Sequence, residues 1–458
     1  MENKRYIYLN KGVALHGDYV LYVPLASHRV SYNFTLKKAI EEATSFKKPL
    51  LILYPLYKNF VTSTQSHIIF LFEGLLDFER DLKRYNLELI VKVGDPFSVV
   101  SAASKRAVLI VTDFPYLKGE RFFIERIAKI TQKPMILVEG NVLVPVTFIS
   151  QKEELYARNL RPKILKNWIN FFEDFTLPEA PFGSYEMDEE CLNIEELLKK
   201  EHKLLELCRD LEVDLRVPPV REHFQGGYSE AIKKLEVFVR EKLPYYRELR
   251  SEPGYECESN LSPYLRYGQI SPIEILKKIF EVRLMTDDNV KSFFNELVVW
   301  RELARNFCLY NDNYDSFSGL PEWARKTLIS HMKDPREKKY TLTELEKAEV
   351  DNIYWRASQI ELLRKGKIHN YMRMYWCKRL LFWTDTPENA FKIALYLNNK
   401  YALDGEDPNT YLGVAWCFGA FDHPFTEREI LGKVRPFSEF ALKRKKSLSL
   451  YLKKWLSS

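Results

Sequence analysis

Leu87–Thr112 reads LELIVKVGDPFSVVSAASKRAVLIVT. Two short runs of branched apolar residues, Leu87–Val93 and Ala107–Thr112, flank a helix-forming stretch that opens at Pro96. Apolar runs of this length bounded by turn residues suit buried strands, and proline is tolerated in the first turn of a helix. A strand, a helix and a strand in this order form the crossover unit of a parallel sheet. The same alternation continues outward. Tyr19–Leu25 (YVLYVPL), Pro49–Leu56 (PLLILYPL) and Met135–Val138 read as further strands. Residues 34–46, His67–Tyr85 and Glu120–Thr131 read as helices, the second through the spacing of Phe70, Leu71, Leu75, Phe78 and Leu82. The expectation is a Rossmann-like α/β domain over residues 1–146, with a five-stranded parallel sheet covered on both faces. Ligands of such sheets bind at the carboxyl ends of the strands. No GxGxxG follows the first strand, so the dinucleotide fingerprint is absent.

Beyond residue 146 the pattern changes. Residues 147–228 read as a connector, with the Pro- and Gly-rich FTLPEAPFGSY (Phe175–Tyr185), a charged helix near Glu189–Asp214 and then VPPVREHFQGGY. From Ser229 helical spacing dominates, which makes residues 229–458 an all-α domain. Its expected helices include Val290–Cys308, Tyr354–Arg364, Asn370–Thr384 and Pro387–Leu397.

Aromatic residues reach 14%, which fits either large cores or a ligand with flat rings. The net charge is +6, and the Lys and Arg surplus from Ser229 onward accounts for all of it. A basic surplus confined to one half fits an anionic partner there, and solvated helix faces fit it equally. Six cysteines lie scattered without CxxC or Cys/His ligand spacing, which excludes a zinc ribbon or a disulfide framework. The start, MENKRYIYLNKG, lacks an apolar signal core, and no apolar run is long enough to span a bilayer. The chain reads as a soluble intracellular protein of a reducing compartment.

Several residues could carry chemistry. Glu296 and Trp300 stand four apart on one expected helix, so they share a face. That pair is either a surface acid over a half-buried indole or part of a site. Trp376 and Trp383 share a face seven residues apart, and Trp355 begins the preceding helix. Three such indoles are packing, or a relay for an electron moving to a buried redox cofactor. YALDGEDPNTY (Tyr401–Tyr411) is a solvated loop, or it presents carboxylates to the N–H groups of a cofactor with Arg373 as counter-charge. SNLSPY (Ser259–Tyr264) places hydroxyls just before a proline that opens a helical turn, which suits a phosphate.

In order along the chain stand SNLSPYLRYGQIS, ELVVWRELARNFCLYN, YDSFSGLPEWARKTLISH, YWRASQIELLRKGKIHNYMRMYWCKRLLFW, LNNKYALDGEDPNTYLGVAWCFG and EREILGKVR. TDFPYLKGER and SQKEELYARNLRPKI precede them. The ordered set, continuous from about Tyr246 to Arg435, resembles the photolyase/cryptochrome family and within it the class II cyclobutane pyrimidine dimer photolyases. The resemblance implies an N-terminal antenna domain and a helical domain that holds FAD in a U-shape. By position, Tyr246, Ser259, Asn260, Leu261 and Ser262 would hold the diphosphate and ribityl region, and Arg301 would belong to the same cofactor site. Arg373 and Asp404 would pair beside the isoalloxazine, with Asn398 near N5 and Gly405 and Asn409 lining the pocket. Trp376, Trp355 and Trp383 would form the electron chain, Trp376 nearest the flavin. Glu296 would hydrogen-bond the pyrimidine as a neutral acid. Trp300 and Trp416 would pack against the flipped dimer, and Arg250, Met374 and Arg435 would complete the contacts to lesion and backbone.

The implied activity is light-driven repair of double-stranded DNA by a monomer. Reduced FAD passes an electron to an extruded dimer, the cyclobutane bonds split, and the electron returns. A second chromophore of deazaflavin or folate type is an option the family leaves open. Departures stand at LASHRV after the first strand, and at CFGAFDHPFTERE, one residue short, where His423 and Phe425 replace Arg and Trp. A cryptochrome-type photoreceptor is the first alternative; only about two dozen residues, reading as a basic amphipathic helix, follow Arg435. A (6–4) photolyase is the second, yet the helical half holds only the separated His331, His369 and His423, with no histidine pair. A flavin-free nucleic-acid-binding protein is the third.

Overall fold

The computed structural model describes residues 2–10, 16–58, 64–187 and 191–457. Its sheet runs β1 (Tyr6–Leu9), β6 (Met135–Val138), β5 (Ala107–Asp113), β2 (Tyr19–Val23), β3 (Leu50–Leu56) and β4 (Leu89–Val93) from edge to edge. The last five are mutually parallel, as the strand-helix-strand pattern requires. β2, β3 and β5 are buried along their whole length, because helices cover both faces: Phe34–Phe46 packs on the side of Val20 and Tyr22, and Pro96–Ser104 and Lys118–Thr131 on the side of Leu21 and Leu51.

The sheet has six strands, which corrects the expected five. The sixth, β1, pairs antiparallel with β6, Tyr6 opposite Val138. It is a four-residue, partly exposed edge strand, and its apolar run YIYL is too short and too close to the charged ENKR start to carry weight as a strand signal. Its anchor is Arg5, fully buried, whose guanidinium donates to the carbonyls of Glu139 (3.0 Å), Val142 (3.1 Å) and Leu143 (2.9 Å).

The connector holds a helix that the sequence reading lacks, Ala157–Asn167, with Pro162 inside it and Leu160 and Ile164 buried. The charged helix expected over Glu189–Asp214 is two helices, Ile194–Lys199 and Glu201–Asp210; its start at Glu189 lies outside the described residues. In the helical half, the single helix expected over Val290–Cys308 is broken. Asp288–Phe294 passes into a π-turn at Asn295–Trp300, and an α-helix resumes at Arg301–Tyr310. The loop after Tyr401 ends at Pro408, where Asp407 caps a helix that runs to Cys417. The tail forms two short helices, Glu439–Lys443 and Leu448–Leu456, the second burying Tyr451 and Trp455. Among the described residues no helix is long and apolar enough to cross a membrane.

The carboxyl edge of the sheet positions the helical half. Asp113, at the end of β5, accepts from Ala26 N (2.8 Å), Ser27 Oγ (2.6 Å) and Thr35 Oγ1 (2.6 Å). Arg29, fully buried, donates to Asn141 Oδ1 (2.9 Å) and to the carbonyl of Gly268 (2.7 Å). LASHRV therefore folds into a network of backbone and side-chain bonds, in which the buried His28 Nδ1 is left without a partner. Gly268 sits at φ +63°, and a Cβ there would lie 1.7 Å from the Ala26 carbonyl oxygen. Gly268→Ala is expected to cost roughly 3 kcal/mol through backbone strain and loss of this contact. Urea unfolding followed by circular dichroism checks it.

Candidate active site

The helical half encloses a cavity of about 460 Å³. Its lining comes from four places in the chain. Tyr246 and Arg250 stand on a short helical turn, and Ser259, Asn260 and Ser262 follow in the segment that leads into helix Ser262–Arg266. Glu296, Trp300 and Arg301 come from the π-turn and the residue after it. π-turns re-aim side chains within helices and recur at functional sites. Arg373, Met374 and Trp376 project from helix Asn370–Trp383. Asn398, Asp404, Asn409 and Trp416 complete the wall from two further helices and the loop between them.

The inner wall is charged and buried. Arg373 Nη2 lies 2.9 Å from Asp404 Oδ1, and Ser262 Oγ donates to Asp404 Oδ2 at 2.6 Å. Burial opposes the charge on Asp404, but the Arg373 and Lys367 cations and the Ser262 hydroxyl overcome it and hold the carboxyl below its ordinary range. Asn398 Nδ2 donates to Thr410 Oγ1 (3.2 Å), which in turn donates to the Asp404 carbonyl (3.1 Å). Arg301 donates to the Asn141 carbonyl, linking the cavity to the sheet edge. Burial, aided by Arg305, brings the Arg301 guanidinium down to about 9, against the pull of Asp407 and Glu302. Burial likewise raises Glu302 to about 8, although it accepts from Val144 N and Leu143 N.

Four buried polar atoms of this lining lack a hydrogen-bond partner: Asn260 Oδ1, Arg301 Nε, Arg301 Nη2 and Arg373 Nε. Buried polar groups are nearly always satisfied in folded proteins. Three unsatisfied guanidinium donors and one amide oxygen around one cavity fit an anionic ligand rich in heteroatoms. FAD, with its diphosphate and its ring N–H and C=O groups, has that chemistry.

The mouth is different. Arg250, Glu296, Trp300, Met374 and Trp416 are half-buried around it. Arg250 Nη2 lies 2.8 Å from Glu296 Oε1. Behind the cavity wall, Trp376 stacks on Trp355 with ring centroids 5.9 Å apart and planes 11° apart. Trp355 meets Trp383 edge-on at 5.5 Å. Trp355 Nε1 donates to the Trp376 carbonyl (2.9 Å), and Trp376 Nε1 to Gln359 Oε1 (2.8 Å).

The DNA photolyase family matches residues 21–179. A deoxyribodipyrimidine photo-lyase from Methanothermobacter thermautotrophicus is 40% identical over 96% of this chain and 94% of its own. The chain belongs to the DNA photolyase family. Among solved structures, a cryptochrome from Synechocystis superposes on this photolyase-family chain with a TM-score of 0.72 at 16% identity, covering 97% of this chain and 90% of its own. An archaeal photolyase from Sulfolobus tokodaii, solved with two FAD molecules, gives 0.71 at 16% identity, covering 95% and 90%. At such identities these likenesses show the fold alone, and a repair enzyme and a cryptochrome fit it equally well.

Within this photolyase fold, five of the residues singled out from sequence do not line the cavity. The Leu261 side chain is buried in the core. At Gly405 a Cβ would meet the Ala402 carbonyl oxygen at 2.8 Å, so that glycine serves a tight turn. Trp355 and Trp383 lie behind Trp376. Arg435 is bound to Asp422 (2.6 and 3.0 Å) and lies over the Trp416 ring at 5.8 Å. The sequence reading missed Glu258 and Lys367, a pair 2.9 Å apart on the cavity wall, and Thr410. Their only signal is adjacency: Glu258 precedes Ser259, and Thr410 follows Asn409.

Proposed function

We propose that this protein is a class II cyclobutane pyrimidine dimer photolyase that binds FAD and acts as a monomer on double-stranded DNA. The proposal divides the chain into an antenna domain (1–146), a connector (147–228) and an FAD- and DNA-binding domain (229–458). One observation carries it: a single cavity is lined both by Trp376, the head of a row of three indoles in ring contact, and by Glu296, Trp300 and Trp416 at its mouth. A photoreceptor needs the first set and has no use for a lesion platform. The ordered motifs from Tyr246 to Arg435 support the class II assignment.

Bound FAD, reduced and excited by light, supplies the electron that opens the cyclobutane ring. The chain's residues bind and orient. Ser259, Asn260, Arg301 and Arg373 would hold the cofactor's phosphate and polar edges, Asp404 would accept from its ring N–H groups, and Asn398 would support the ring from the same cavity wall. The dimer reaches the cavity only by leaving the helix stack, and its weakened pairing lowers that cost. Trp300, Trp416 and Met374 receive the flipped pyrimidines on apolar faces. Glu296, in its neutral form and parted from Arg250, donates to a pyrimidine carbonyl, where charge develops as the ring opens. Arg250 and Arg435 position the strand through its phosphates. The three indoles lead from the cavity wall to Trp383.

The test is illumination of FAD-loaded, reduced protein with oligonucleotides that carry either a cyclobutane dimer or a (6–4) product. Restored pyrimidines are expected in the light only, and from the cyclobutane dimer only. Repair of the (6–4) product, or no repair by flavin-loaded protein, contradicts the proposal. Arg250→Ala is expected to weaken dimer-DNA binding about tenfold and to lower the slope of log affinity against log salt by about one. A salt titration followed by fluorescence anisotropy measures both.

A further inference from the structure

The hairpin before Arg435 is fastened beneath by a histidine that the repair reading leaves unused. Segment 425–433 folds back on itself, with Phe425 N–H donating to Lys433 O (2.8 Å) and Arg428 N–H to Gly432 O (2.9 Å). It rests on the end of helix Glu322–Ser330 and the turn that follows. Lys433 N–H donates to Thr327 Oγ1 (3.0 Å), and Ile430 N–H to Asp334 Oδ2 (2.8 Å). Gly432, at φ +52°, lets the backbone approach so closely that a Cβ would lie 3.0 Å from His331 Cδ2.

His331 stands between the two parts. Its Nδ1 is 2.6 Å from Asp334 Oδ2 and its Nε2 is 3.1 Å from Glu427 Oε1. A neutral imidazole carries one N–H and one lone pair, so it donates to one carboxylate and opposes the other. Only the imidazolium donates to both. The other charged groups facing this cluster are Lys433, whose Nζ lies 3.9 Å from Glu427 Oε2, and Arg336. Arg336 donates to the carbonyls of Met332 (2.7 Å) and His331 (3.2 Å). Glu427 and Asp334 together raise the proton affinity of His331 above that of an ordinary histidine. Two residues past the hairpin, Arg435 is held by Asp422 over Trp416.

We propose that the His331 imidazolium latches the 425–433 hairpin, and with it Arg435, in the position that receives lesion DNA, and that loss of its proton releases the latch. His331 lines no part of the cavity, so it is a positioning residue. The proposal rests on the reading of Arg435 as a DNA contact. Because the folded-state proton affinity is raised, the latch is at full strength below the ordinary histidine range and is lost as pH rises through the raised value. Deprotonation also leaves Asp334 and Glu427 less compensated, and their repulsion of phosphates acts in the same direction.

The experiment uses FAD-loaded enzyme in the dark at fixed ionic strength. Anisotropy gives the affinity for a dimer-containing oligonucleotide from about pH 6 to about pH 9, across the range of a raised histidine. Wild-type affinity is expected to fall about tenfold over that range. His331→Gln binds at the high-pH level throughout, with flavin content and repair at saturating DNA within about twofold of wild type. Glu427→Gln keeps one bond of the latch and moves the transition to lower pH. A wild-type profile that is flat, or that persists unchanged in His331→Gln, overturns the latch while leaving the function intact. Failure of wild type to prefer dimer DNA at any pH overturns the functional reading and the latch together.

Discussion

Trp376→Phe is expected to slow photoreduction of the oxidised cofactor about 100-fold, an effective barrier rise of ~2.7 kcal/mol. Repair by chemically reduced enzyme should stay within about twofold of wild type. Trp376 lines the cavity, is fully buried and stacks on Trp355 at 5.9 Å, which in turn meets Trp383 at 5.5 Å. Trp383 is 5% exposed, so the stack runs from the cavity wall almost to the surface. Phenylalanine fills most of the same space but gives up an electron far less readily than an indole. It also loses the bond to Gln359 Oε1, a cost of about 1–2 kcal/mol that a folded domain tolerates. The repair electron starts from the cofactor and does not pass through this stack, so turnover with pre-reduced enzyme is the control. Absorbance under blue light with an external thiol measures the first quantity, and dimer loss the second. Ordinary photoreduction by Trp376→Phe would remove the relay from the account.

Asp404→Asn is expected to weaken FAD binding about 100-fold. The carboxylate accepts from Arg373 at 2.9 Å and from Ser262 at 2.6 Å in a buried site. Asparagine keeps the shape and removes the charge that orients Arg373 and accepts from the flavin ring. A charge-assisted hydrogen bond of this kind is worth ~3 kcal/mol, and each 1.4 kcal/mol is tenfold in affinity. The sign of the pH dependence follows from the same pair. Because the Asp404 carboxyl is held below its ordinary range, its contribution is present above that range and is lost only as pH falls through the lowered value. Wild type should therefore retain flavin in mild acid, and Asp404→Asn should release it already at neutral pH. Fluorescence of free flavin in ultrafiltrates measures both.

What was legible in the sequence depended on how local its cause is. β2, β3 and β5 are continuous apolar runs because both faces of the sheet are covered, and such runs can be read directly. β1 could not be read, because its place is fixed by pairing with β6 and by the bonds of the adjacent Arg5 to the Glu139, Val142 and Leu143 carbonyls, partners all more than a hundred residues away in sequence. The π-turn at Asn295–Trp300 keeps helical spacing, so a straight helix and a re-aimed one look alike in one dimension. In the candidate site, Arg373 and Asp404 were paired from charge and motif, and the structure brings them together. Glu258 with Lys367, 109 residues apart, and Asn398 with Thr410, 12 apart across the loop between two helices, are contacts that no helical or strand spacing announces. His331 looked like an isolated histidine. Only the fold brings Glu427, 96 residues away, against its free nitrogen.

The most direct test of the central claim, that the cavity beside the indole stack is a flavin site, is the cofactor content of purified protein after reconstitution with FAD and removal of the excess. Heat release followed by absorbance and chromatography should give one FAD per chain, with retention lost in Asp404→Asn. Wild-type protein that is folded and carries no flavin would contradict the account.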